Sequence, residues 1–227
     1  FYAREKNYAS VREKSMFSEN IPIEVYDNLI ETVHDNLAPL HKYFFLRKNI
    51  LKLNQIHIYD TSVPLVKDIH WHVGYDNSVT KIIDSLEPLG PDYTKVLRKG
   101  LIEDRWVDRY ESKGKRSGAY SSGCYDSNPF ILMNYREDNI NSMYTLAHEA
   151  GHSMHSFLSR KAQPYLYADY TIFVAEVAST FNEVLLTKHL LLQDISKSMK
   201  IYLICREIDN LRGTLYRQTM FAEFEHL

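Results

Sequence analysis

The stretch TLAHEAGHSMHSF, residues 145–157, restricts the fold of this chain more than any other. At about 100° per residue, Leu146, Ala150, Met154, Phe157 and Leu158 gather on one broad face, which predicts a helix packed on a core. His148 and His152 stack one turn apart on the opposite side, with Glu149 beside them. Polar groups of this kind are costly to bury unless something compensates them. The spacing H-E-x-x-H supplies the compensation, because imidazoles at i and i+4 can offer nitrogens to one metal ion. Glu149 then lies beside a metal-activated water as a general base. Gly151 sits in the helix interior, at a cost of about 1 kcal/mol against Ala, so a close neighbour is expected there.

A catalytic zinc commonly takes three protein ligands and keeps one position open. The next apolar helix, TIFVAEVASTFNEVLL, carries Glu176, 24 residues after His152, which is enough for a turn and an antiparallel return. Asp169, Glu176, Thr180, Glu183 and Thr187 form one polar stripe on it, expected to be buried toward the metal, with Val174, Ala178, Phe181 and Leu185 elsewhere. Glu176 is the expected third ligand. Glu183, two turns further on, suits a hydrogen bond to the other ring nitrogen of a ligand histidine, and is the reserve ligand. His155 lies too far along the helix to share the ion with both other histidines, and is expected to support them or to face substrate. Histidines with a carboxylate favour a single Zn²⁺ over magnesium or calcium.

The rest of the chain points to a mainly α fold. Asn20, Pro22 and Glu24 mark a helix start, and Pro39 should kink or break the pattern that follows. IHIYDTSVPLV is expected to be an extended connection, followed by helices from about Asn77 to Leu86 and from Asp92 to Arg109. GAYSSGCYDS and PFILMNY flank a DSNP turn and predict a hairpin within 115–135. Helices are then expected over 139–160, 168–191 and 197–226. The organisation expected is one catalytic region, with a helical scaffold over 1–110, the hairpin, and metal-site helices over 139–227. Acids and bases are interspersed at a net charge of −2, which argues against nucleic acid as partner. No run approaches the ~18 apolar residues of a membrane span. The charged start, FYAREKNYAS, lacks a signal-peptide pattern, and two distant cysteines fit a reducing, cytoplasmic setting.

Three motifs in order, GAYSSGCYDSNPFILMNY, TLAHEAGHSMHS and TIFVAEVASTFNE, resemble the thimet-oligopeptidase-like zinc metallopeptidases, with greatest similarity to the oligoendopeptidase F branch. FYAREKNYASVREKSMF and LYRQTMFAEFEHL resemble that branch as well, so the likeness spans the chain. It implies a multi-helical, zincin-like catalytic region with a deep channel that admits short peptides. It also implies zinc on His148, His152 and Glu176, Glu149 as base, and an edge strand at Gly118, Ala119 and Tyr120 that pairs with substrate main chain. Both ends fall inside helical patterns, which predicts an internal piece of a longer polypeptide. The family's later Tyr- and His-rich segment, which stabilises the tetrahedral intermediate, has no counterpart in these residues. The piece alone is therefore expected to bind zinc but to hydrolyse peptides poorly. Two other readings share the pattern: a helical zinc dipeptidyl carboxypeptidase, and a non-catalytic helical module with a vestigial metal site.

Overall fold

A computed structural model of the chain describes residues 1–67 and 69–226. Its elements, in chain order, are α1 (Tyr2–Glu5), α2 (Val11–Ser18), α3 (Ile23–Asp35), α4 (Ala38–Ile50), α5 (Tyr75–Ser85) and α6 (Pro91–Ile102). There follow β1 (Val107–Asp108), β2 (Tyr120–Ser122), β3 (Phe130–Leu132), α7 (Ile140–Ala162), α8 (Ile172–Leu192), α9 (Lys197–Leu211) and α10 (Arg217–His226). The chain is mainly α with one small sheet, the class read from its periodicity. Among the described residues no helix is long and apolar enough to cross a membrane. Backbone contacts divide the chain into two units, Phe1–Ile69 with Ser196–Leu227, and His70–Ile195.

In the first unit, Pro22 occupies the N-cap position of α3, and Pro39 falls in the first turn of α4, where its missing N–H costs nothing. IHIYDTSVPLV is not simply extended, as its β-branched residues suggested. Ile58–Ser62 close a 3₁₀ turn, because the Asp60 side chain accepts from the His57 N–H at 2.8 Å. The buried Arg47 (1 % exposed) secures that turn to α4. Its guanidinium donates to Tyr43 Oη and the Asp60 carbonyl, both at 3.2 Å, and to the Val63 carbonyl, and lies 3.6 Å from Asp209 Oδ2 on α9. The single helix expected over 197–226 is α9 and α10 joined by a π-turn, Arg212–Tyr216.

In the second unit, α5, α6, α7 and α8 surround a core that includes Val79, Ile82, Leu97, Leu101, Met143, Leu146, Met154 and Leu186, all 0 % exposed. The helix expected to run to Arg109 stops at Ile102. The chain turns back at Arg105 (φ +56°), and the Trp106 N–H donates to the Gly100 carbonyl at 3.1 Å. Gly100 is required by that return, since a Cβ there would stand 2.3 Å from the Trp106 ring. The hairpin β2–β3 is antiparallel, pairing Ser121 with Ile131, and it gains a third strand, β1, parallel to β3. The order β1-β3-β2 leaves β2 at an edge.

Candidate active site

α7 and α8 bring the polar groups together. Leu146, Ala150 and Met154 are fully buried on the back of α7, and Phe157 meets Trp106 with ring centroids 5.8 Å apart. Leu158 departs from the expected core face and is 46 % exposed, because the packing surface ends before the last turns of the helix. Beside Gly151 runs the α8 backbone: a Cβ would lie 2.6 Å from Ser179 Cα and 2.7 Å from the Ala178 carbonyl oxygen. Helix axes can approach this closely only over a residue without a side chain.

Links between side chains and backbone set the register of the pair around this crossing. Asn182, 1 % exposed, donates from Nδ2 to the Ala147 carbonyl at 3.1 Å, and its Oδ1 accepts from Tyr93 Oη on α6 at 3.4 Å. The hydroxyls of Tyr144 and Thr187 pair at 2.8 Å one turn further along. Asn182, Ser179 and Tyr93 were not singled out from sequence. A small polar residue buried in an otherwise apolar helix was the one signal available for them.

In this register His148 Nε2 and His152 Nε2 stand 3.1 Å apart, and Glu176 Oε2 lies 3.2 Å from the first and 3.4 Å from the second. Donors at about 2.1 Å in tetrahedral array around zinc are separated by about 3.4 Å. The three separations and the N, N, O donor set therefore fit one zinc ion. Glu176 is 62 % exposed, so the stripe expected to be buried is only partly so. Glu183 and Thr187 are buried, while Glu176 and Thr180 are open. Val174 and Phe181, expected to point away from that stripe, are exposed at 37 % and 49 %. Ser179 Oγ donates to Glu176 Oε2 at 2.9 Å and holds that carboxylate in place.

Glu183 Oε1 lies 2.8 Å from His148 Nδ1. A proton on Nδ1 is held by that carboxylate, which turns Nε2 toward Glu176 and His152. The contact also raises the pKa of His148, whereas burial lowers that of His152. Glu149, 8 % exposed, does not join the three-atom cluster; burial raises its pKa, and the Ser121 backbone amide pulls the other way. His155 lies flat on Tyr170, with centroids 3.6 Å apart and 8° between planes, and its buried Nδ1 has no hydrogen-bond partner among the described residues. Burial lowers its pKa as well.

The sheet flanks α7. The N–H groups of Ile131 and Met133 donate to Trp106 and Asp108, so those of the alternating residues Phe130 and Leu132 face β2. Tyr120 and Ser122 are paired there, and the main chain of Ser121 points outward from the edge. Gly118 (φ +90°) and Ala119 lead into this strand, while Tyr120 is 52 % exposed.

Comparison with known proteins gives the chain its relatives. The chain is 52 % identical to oligopeptidase PepF of Bacillus subtilis over 227 residues, all of this chain and 34 % of that protein. It is 46 % identical to an oligoendopeptidase F homolog of Borreliella burgdorferi, covering 38 % of it. It thus spans about a third of the length of these relatives. Among solved structures, a candidate peptidase from Chlamydophila abortus superposes with a TM-score of 0.88 at 45 % identity, over 100 % of this chain and 38 % of that one. The oligoendopeptidase F of Enterococcus faecium gives 0.65 at 30 % identity, over 99 % and 32 %. The pattern of the family described as peptidase family M3 runs from residue 2 to residue 227, across both helices of the cluster, and the chain belongs to that family.

Proposed function

We propose that this chain carries the metal centre of a zinc-dependent endopeptidase that cuts internal bonds of short peptides. The observation behind this reading is the convergence of His148 Nε2, His152 Nε2 and Glu176 Oε2 with the buried Glu149 beside them. His148, His152 and Glu176 would hold the zinc, and Glu183 would orient His148 through Nδ1. Zinc in such a site supplies Lewis acidity, lowering the pKa of water toward ~7 and polarising a carbonyl. Glu149 takes the proton of the attacking water on its carboxylate and delivers it to the leaving amine. A carboxyl whose pKa is raised by burial is a better proton carrier at neutral pH than an exposed one. The edge strand that Gly118, Ala119 and Tyr120 lead into would offer the outward main-chain groups of Ser121 to an extended peptide, whatever its side chains. Gly151 lets α8 approach closely enough for Glu176 to reach the histidines, and His155, stacked on Tyr170, would wall the substrate side. The names of the relatives, oligopeptidase and oligoendopeptidase, support the same substrate class. A soluble, cytoplasmic enzyme accords with this reading.

The test is removal of metal from the full-length protein with a chelator and restoration with zinc, while cleavage of peptides blocked at the C-terminus is followed. Cleavage lost and regained supports the reading. Cleavage of free but not blocked peptides would assign a dipeptidyl carboxypeptidase. Peptide cleavage absent at full zinc occupancy would leave a non-catalytic metal site.

A further inference from the structure

We propose that Lys115 and Asn134 form a clamp on the lead-in of the edge strand β2 and keep that strand extended for a peptide to pair with. The clamp stands at one end of the sheet. The strand pairings bring three points together there: the end of β1 at Asp108, the end of β3 at Leu132 and the entry to β2 at Gly118. Lys115 lies in the loop between β1 and β2, yet its side chain is only 4 % exposed. An ammonium is costly to bury unless it is paired, and each of its three protons has an acceptor here. Nζ lies 3.1 Å from the Asp108 carbonyl, 2.7 Å from the Tyr110 carbonyl and 3.1 Å from Asp108 Oδ1. The loop is thereby folded back on the end of β1. Asn134 secures its far side. Its Nδ2 donates to the Arg116 carbonyl at 2.9 Å and to the Gly118 carbonyl at 3.3 Å. The register that pairs Tyr120 with Leu132 sets Gly118 opposite Asn134, so this side chain continues the ladder ahead of the strand itself.

β2 needs such support. It is three residues long and lies at the edge of the sheet, paired to β3 alone, and so short a ladder opens readily. Its exit is held as well, since Arg160 Nη2 donates to the Gly123 carbonyl at 3.1 Å. Between these anchors the outward main chain of Ser121 stays in line. A peptide that adds a strand here binds only molecules whose edge is already extended, so the fraction in that state scales its apparent affinity. Lys115 and Asn134 are therefore positioning residues for substrate binding, not for the chemical step.

The substrate half of the proposal rests on the peptidase reading, so the experiment has one arm independent of turnover. In the zinc-loaded full-length protein, Lys115→Met and Asn134→Ala are compared with wild type by amide exchange and by kinetics on a short peptide. Exchange over residues 116–122 is expected to speed up roughly ten-fold in Asn134→Ala, and more in Lys115→Met, whose lost donor is charged. Exchange over 146–154 on α7 should not change. KM should rise roughly three- to ten-fold at unchanged kcat, the signature of lost binding that substrate and transition state share. Should Lys115→Met fail to fold, Asn134→Ala carries the test alone. Unchanged exchange over 116–122 would overturn the clamp. Exchange that speeds up equally over 146–154 would overturn it too, by making these residues general supports of the fold. Faster local exchange at wild-type KM, or a fall in kcat at unchanged KM, would overturn the positioning role. A wild-type protein that cleaves no peptide would defeat the peptidase reading, and the exchange arm would still decide whether the clamp holds the strand.

Discussion

Replacing Gly151 with Ala tests the crossing of α7 and α8 directly. Two effects oppose one another. Helix propensity favours Ala in a helix interior by about 1 kcal/mol. The added Cβ, however, would stand 2.6 Å from Ser179 Cα and 2.8 Å from the Ser179 backbone nitrogen. Carbon atoms settle at about 3.5 Å or more, so the two helices must separate by roughly 0.9 Å at this point. The obstructing atoms are backbone, and no rotamer change relieves the contact. Overpacking of this kind costs ~1–3 kcal/mol, so the fold should lose up to about 2 kcal/mol net. The metal site is affected more strongly. His148 and His152 lie on one side of the widened gap and Glu176 on the other, now 3.2 and 3.4 Å apart. Zinc sites tolerate distance errors of only about 0.2 Å, so a shift several times larger should weaken zinc binding by roughly 10²-fold or more. Competition against a chelator of known affinity would measure this, with thermal denaturation of the metal-free protein alongside. A Gly151→Ala protein that binds zinc as tightly as wild type and melts at or above the wild-type temperature would show that propensity wins and that the contact is unimportant.

Other substitutions separate the roles of the site residues. Glu149→Gln should retain zinc and lose turnover by at least ~10²-fold, read by metal analysis beside peptide kinetics; zinc loss in that variant would count against Glu149 as base. Glu183→Ala removes the partner 2.8 Å from His148 Nδ1 and should lower zinc affinity about 10- to 100-fold, as competition titration would show. Arg47→Ala should destabilise the fold by about 3 kcal/mol, because it removes a buried guanidinium with its hydrogen bonds to Tyr43 and to the Asp60 and Val63 carbonyls, and urea denaturation followed by circular dichroism would report it.

How much of this was visible in the sequence differs from residue to residue. The helical repeat of α7 and the four-residue spacing of His148 and His152 are local facts, and the structure keeps them. The boundary of α6 is not local. It depends on Trp106 folding back over Gly100, and a lone glycine in a helical pattern does not announce that partner. β1 is two residues long, too short to show alternation, and exists only because β3 is beside it. On α8, periodicity separates a polar from an apolar stripe without saying which one is covered. Val174 and Phe181, set apart from the polar stripe, are exposed, while Glu183 and Thr187 within that stripe are buried. The choice between Glu176 and Glu183 was of the same kind. Seven residues is two turns, so both face α7, and only the measured distances separate the glutamate near both Nε2 atoms from the one bonded to Nδ1.

The seam between α7 and α8 changes character along its length. At the C-terminal end of α8, Leu186 and Leu190 are 0 % and 4 % exposed, while at its start Ile172 and Phe173 are 73 % and 63 % exposed. Cohesion is therefore concentrated at one end and chemistry at the other, as in a pair of tongs riveted near the handle. Small splaying motions of the first turns of α8 would carry Glu176 without disturbing the rivet, because the apolar contacts that resist opening lie beyond Asn182. With so little apolar cover, Glu176 depends on the Gly151–Ser179 crossing and on the Ser179 hydroxyl to stay within reach of both histidines.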